Sequence, residues 1–122
     1  MNLGDTFLMS VPPNFDRDHL FIVISDPAKR QGTFIIVNLT TDQFRAGSEC
    51  ILAVGDHPWI TRQCFVTFTD AIEITPQHLQ TIQAFVGSRI TLQPCLSPAV
   101  VAKIIAAAKQ SKAIPQAFKK YF

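Results

Sequence analysis

Polar and aromatic side chains concentrate in one stretch of the chain, Val54 to Cys64, which reads VGDHPWITRQC. Histidine trades protons near neutrality, arginine holds phosphate with a planar fork, and tryptophan stacks on bases. Metal-free RNA cleavage needs such parts, a base for the 2′-hydroxyl, a cation for the phosphorane and an acid for the leaving oxygen, and His57 and Arg62 are of the types that could serve, with Trp59 to stack on a base. The same residues also have a purely structural reading. Pro58 holds His57 extended, Trp59 plugs one end of a barrel, and Arg62 pairs with a carboxylate such as Asp56 or Asp70. Elsewhere, His19 opens an apolar run after the charged FDRD, and Thr40 and Thr41 close the next. Strand ends can converge on one mouth. The ordinary alternative makes His19 an edge residue bonded near Asp16 or Asp18, and the threonines a turn start capped toward Asp42.

Stronger motifs are missing. No G-x-x-x-x-G-K-[ST], G-x-G-x-x-G, H-E-x-x-H or G-x-S-x-G occurs, so P-loop, dinucleotide-binding, zincin and serine-hydrolase chemistry has no support. Histidines stand only at 19, 57 and 78, and Cys50, Cys64 and Cys95 form no C-x-x-C. Neither a zinc site nor a disulfide framework is expected, no cofactor is implied, and all three cysteines are expected to be buried small hydrophobes.

The elements that must position these residues change character along the chain. Thr6 to Val11, His19 to Ser25, Thr33 to Leu39, Cys50 to Val54, Gln63 to Phe68 and Ala71 to Ile74 are short β-branched or aromatic runs bounded by turn-formers, and they predict strands. Thr75-Pro76 and Ser97-Pro98 are helix starts, each a cap followed by proline at the first helical position. Leu79, Ile82, Phe85 and Val86, closed by Gly87, predict one helix; Val100, Val101, Ile104, Ile105 and Ala108 predict a second. Arg89 to Leu92 reads as a strand or extended link, and the tail after Pro115 as a last helical turn. Strands followed by helices predict an α+β fold, most simply a small, bent antiparallel barrel with helices on one side. Parallel βαβ units are excluded over the first 74 residues, where no helical pattern separates the strands.

At 122 residues, 48% hydrophobic and 16% charged with ten Phe, the chain is too apolar for disorder and reads as a single domain over 1–122. Its apolar runs are far shorter than the roughly 18 residues of a spanning helix. The start, MNLGDTFLMS, has no basic stretch followed by an apolar region. A cytoplasmic protein with no membrane association is expected. Residues 1–74 carry five basic against nine acidic groups, a balance of −4, whereas 75–122 carry six basic and none acidic, +6. Arg89, Lys103, Lys109, Lys112, Lys119 and Lys120 either form a phosphate-attracting surface or a solvated helix face.

In order, a Gly-Asp opening the first strand (GDTFLM), a Pro-containing charged loop, a strand ending V-I-S (FIVISDP), a strand ending in a hydroxyl pair (IIVNLTT) and a polar hairpin follow one another. This order resembles the MazF/PemK-type toxins of bacterial toxin–antitoxin modules over about residues 3–74. The resemblance implies an SH3-like barrel over that span with two or three C-terminal helices. It also implies a sequence-selective, metal-independent endoribonuclease that leaves 2′,3′-cyclic phosphate and 5′-hydroxyl ends, forms a homodimer and is neutralised by an antitoxin protein. His19 falls where the family places a catalytic arginine, and Thr40 on the family's threonine at the end of the next strand. Asp56 fits the first position of a D-Q-x-R-T-I-D segment, where Pro58 and Trp59 stand near the expected arginine. Arg62 substitutes from a shifted register, or His57 supplies the acid or base, or the chain has kept the barrel and lost cleavage.

The leading expectation is thus a ribonuclease with His57 and His19 as general acid and base, Arg62 stabilising the phosphorane and Thr40 positioning phosphate. Trp59, Asp56, Thr61 and Thr41 complete the substrate site. The alternative is a non-catalytic SH3-like barrel that binds nucleic acid or a protein partner. A third is poisoning of gyrase, known for a relative of this fold.

Overall fold

Leu20 to Ile24 and Phe34 to Val37 contain no polar residue on either side-chain face, which in an antiparallel sheet means that both faces are covered. The computed structural model describes residues 1–11, 14–46, 49–84 and 90–122, without the side chains of 11, 14–17, 45 and 46. Among the described residues are strands β1 (Thr6–Val11), β2 (Asn14–Val23), β3 (Phe34–Thr40), β4 (Ile51–Leu52), β5 (Cys64–Val66), β6 (Ile72–Ile74) and β7 (Thr91–Gln93). Helices α1 (Gln43–Ala46), α2 (Pro76–Ala84) and α3 (Pro98–Gln110) accompany them, with 3₁₀ turns at Pro27–Arg30, Phe68–Asp70 and Gln116–Tyr121.

The chain is α+β, and its strands lie in the order β4-β5-β3-β2-β1-β7, with β6 also on β3. Each described pairing is antiparallel, in line with the missing helical signal between the early strands. The two halves of β3 diverge on one side: Phe34, Ile35 and Ile36 pair with β6, whereas Leu39 and Thr40 pair with β5. Thr40 thereby ends β3 directly beside the strand that follows the polar loop.

Alternation sorts the apolar runs onto two cores. Leu20, Ile22, Ile24, Ile35, Val37 and Leu39 join Leu52, Ile60, Val66, Phe68, Leu96, Val101, Ile104 and Ala108 on the α3 side. Phe7, Met9, Phe21, Val23, Phe34, Ile36 and Ile74 face the other way, against Leu79 and Ile82 of α2. Phe7 and Phe21 are cross-strand partners with rings stacked at 5.6 Å, a pair that stabilises register beyond simple burial.

Both helix starts form as expected. The Ser97 hydroxyl accepts the N–H of Val100 at 3.3 Å, and that of Thr75 accepts the N–H of His78 at 3.1 Å. Val101, Ile104 and Ala108 make the buried stripe of α3, and the tail after Pro115 forms the last 3₁₀ turn. Phe85, Val86, Gly87 and Arg89 lie outside the described residues.

Two strand boundaries differ from expectation. β2 begins at Asn14, so the FDRD segment lies within the strand rather than in a loop, because β1 keeps a partner as far as Val11↔Asn14 after a register shift between Ser10 and Val11. The predicted strand from Cys50 to Val54 shrinks to Ile51 and Leu52, since Ala53 to Asp56 is taken up by a turn. No helix among the described residues is long and apolar enough to cross a membrane.

Candidate functional site: a cleft between strand ends

The loop joining β4 to β5 is fixed by three local devices. At its start the Asp56 carboxylate accepts the Ala53 N–H at 2.8 Å, while the Asp56 N–H donates to the Ala53 carbonyl at 3.0 Å. Gly55 sits at φ +103 inside this turn, a region that side-chain-bearing residues rarely adopt. Next, His57 turns inward and is only 2% exposed. Its Nδ1 accepts the Trp59 N–H at 3.0 Å, which puts the ring proton on Nε2. That Nε2–H points at the Pro94 carbonyl (2.8 Å) and at Thr6 Oγ1 (2.9 Å), and the Thr6 hydroxyl itself donates to the same carbonyl at 2.8 Å. Finally, Ile60 enters the core, with its N–H bonded to the His57 carbonyl at 3.0 Å.

Helix α3 holds the strand from which the loop departs. Lys103 Nζ donates to the Ile51 carbonyl, and the Glu49 carboxylate accepts the Ser111 hydroxyl at 2.8 Å and the Lys112 N–H at 3.3 Å. Lys119 Nζ donates to the Lys109 carbonyl at 3.1 Å, at the helix end where cations are favoured. Lys103 and Lys119 are thus drawn into backbone contacts; Arg89 lies outside the described residues.

Beyond the His57 anchor the loop turns outward and lines a cleft of about 710 Å³. Pro58, Trp59, Thr61 and Arg62 form one wall, with Cys64 of β5 behind them. The opposite wall is Asp18 and His19 of β2 and Leu39, Thr40 and Thr41 at the end of β3. Arg62 Nη2 donates to Thr41 Oγ1 at 3.2 Å across the cleft, so the guanidinium leans on a hydroxyl. Thr40 Oγ1 accepts the Asp42 N–H at 3.2 Å, the turn cap that its position suggested. Trp59 is 39% exposed and lines the same space.

Six of the eight site residues singled out from sequence therefore line one cleft: His19, Thr40, Thr41, Trp59, Thr61 and Arg62. His57 and Asp56 do not. His57, expected as general acid or base, has both ring nitrogens bonded inside the protein, and Asp56, expected at the substrate, caps the turn before it. Asp18, Leu39, Pro58 and Cys64 complete the lining without being expected there; of these Asp18 is the charged one, and its adjacency to His19 in FDRDH is the signal for it.

Among the cysteines, Cys50 and Cys64 are buried, as expected. Burial pushes both thiols up; Lys103 partly offsets this at Cys50, where Asp56 adds to it, and Arg62 partly offsets it at Cys64. Cys95 is instead exposed, because in the link from β7 to α3 it is the next residue, Leu96, that enters the core. Thiol titration with Ellman's reagent should find one fast-reacting group in the native protein and two more only on unfolding. Two fast groups would mean that Cys64 opens to the cleft.

No protein-family model matches the chain, and no curated protein matches it.

Proposed function

We propose that this chain is a metal-independent endoribonuclease of the MazF/PemK type, built on a small SH3-like barrel, whose reaction takes place in the cleft between β2, β3 and the β4–β5 loop. One observation carries the reading: an imidazole, a guanidinium, three threonine hydroxyls and an indole converge on one cleft from segments far apart in the chain. In the proposed reaction the 2′-hydroxyl of the substrate attacks the adjacent phosphorus, a P–O bond forms, and the bond to the 5′-oxygen breaks. The products are a 2′,3′-cyclic phosphate and a 5′-hydroxyl. Arg62 meets the charge that develops on the phosphorane oxygens. Thr40 and Thr41 hold the phosphate, Thr61 and Trp59 the neighbouring nucleotide. With His57 withdrawn into the core, the reading gives His19 and Asp18, which line the cleft, the tasks of taking the 2′-proton and returning one to the departing oxygen. The family resemblance extends the proposal to a homodimer, to an antitoxin protein as partner and to the cytoplasm as its place.

A test is incubation of the purified protein with RNA, and with DNA of the same sequence, in excess EDTA. The expected result is cleavage of the RNA alone, since DNA lacks the attacking hydroxyl. Cleavage of both strands, or of neither, would count against the reading. Binding without cleavage is a second reading, and a specific observation favours it: among the described residues His19 is the one histidine in the cleft. Its mark would be an affinity for RNA that falls steeply with salt while the strand stays whole.

A further inference from the structure

Among the described residues the large exposed apolar side chains include two aromatic ones, Trp59 in the cleft wall and Phe44, which is 92% exposed. Phe44 belongs to α1, which packs against β3 and β5, the strands that end at the cleft. Its position is tied to the cleft wall by a chain of hydrogen bonds: Thr40 Oγ1 accepts the Asp42 N–H, and Asp42 Oδ1 accepts the Phe44 N–H at 3.0 Å. Phe44 stands three positions after Thr41, the residue that holds Arg62, a reach of at most about 11 Å. Its exposed neighbours Thr41, Asp42 and Gln43 are polar, unlike the contiguous apolar patch that marks a protein-docking face. A lone exposed ring in polar surroundings, three positions along the chain from the hydroxyl that holds Arg62, suits the π-face of a base.

We propose that Phe44 is a second base-stacking platform, so that the ligand of the cleft is single-stranded RNA with one unpaired base on Trp59, another on Phe44 and the intervening phosphate at Arg62. This rests on the nucleic-acid reading of the cleft. It does not require that cleavage occurs.

The test uses a short fluorescein-labelled single strand with 2′-O-methyl sugars, which cannot be cut by 2′-hydroxyl attack, so affinity is read independently of catalysis. Phe44→Ala should weaken binding by about 5- to 150-fold, the 1–3 kcal/mol of a stacked base. Phe44→Trp should restore it and Phe44→Leu should not. The slope of log affinity against log salt should be the same for Phe44→Ala as for wild type, since no phosphate contact is lost, and smaller for Arg62→Ala. A duplex of the same sequence should bind more weakly than the single strand. Unchanged affinity in Phe44→Ala overturns the proposal and assigns the ring to a protein contact instead; equal rescue by leucine overturns it as well. If natural RNA stays intact while Phe44→Ala still weakens binding, the cleavage reading fails and this one stands.

Discussion

Arg62→Ala is expected to slow RNA cleavage by about 10²–10³-fold, the usual loss when one preorganised donor to a developing anion is removed. His19→Ala should cost about 10²–10⁴-fold, the span of a general acid–base contribution. Arg62→Ala should not move the unfolding transition by more than about 0.5 kcal/mol, because substitutions on open surface away from caps and cores are nearly silent, whereas His19 is half-buried within β2 and its replacement is read against its own urea melt. Arg62 is exposed and its described side-chain bond is the single one to Thr41. Arg62→Lys keeps the charge but loses the fork, and should recover only part of the rate. The measurement is single-turnover cleavage of a labelled RNA beside a urea melt of each variant. Unchanged rates in both alanine variants would remove the cleft from the mechanism.

His57→Ala should behave in the opposite way. Deleting the ring leaves the Trp59 N–H without its acceptor and strips one donor from the Thr6 and Pro94 cluster, in a site only 2% exposed. Each buried group left unpaired costs about 1–3 kcal/mol, and the cavity adds to it. A loss of about 3 kcal/mol or more is expected, read as a lower urea midpoint. Activity should then fall only as far as the unfolded fraction rises, and should return when urea-free, low-temperature conditions restore the fold. A His57→Ala protein with an unaltered midpoint and no cleavage would return His57 to the chemistry.

The contrast between these two residues shows where sequence reading stops. The strand segments, the helix starts and the α3 stripe are legible because they are written in local spacing: Ser97-Pro98 caps a helix wherever the chain goes. The convergence of Thr40, Thr41 and Arg62 is legible in part, because each stands at the end of a strand or in the loop that follows; His19, expected at a strand start, stands inside β2. The inward turn of His57 was not legible. It is decided by Thr6 and Pro94, which lie 51 and 37 residues away in the chain, and by which of two neighbours, His57 or Trp59, the loop points at the core. Cys95 was misjudged for the same reason, since nothing local says that Leu96 rather than Cys95 enters the core. A cleft role for Asp18 is not legible because FDRD reads as a charged loop, whereas the ladder with β1 draws it into β2 and leaves it at the cleft.

The most direct test of the central claim is the chemistry of the ends left when natural RNA is incubated with the protein in EDTA. The account predicts fragments bearing 2′,3′-cyclic phosphate and 5′-hydroxyl, produced by wild type and by neither Arg62→Ala nor His19→Ala at comparable rates. Intact RNA, or fragments with 5′-phosphate and 3′-hydroxyl ends, would contradict it.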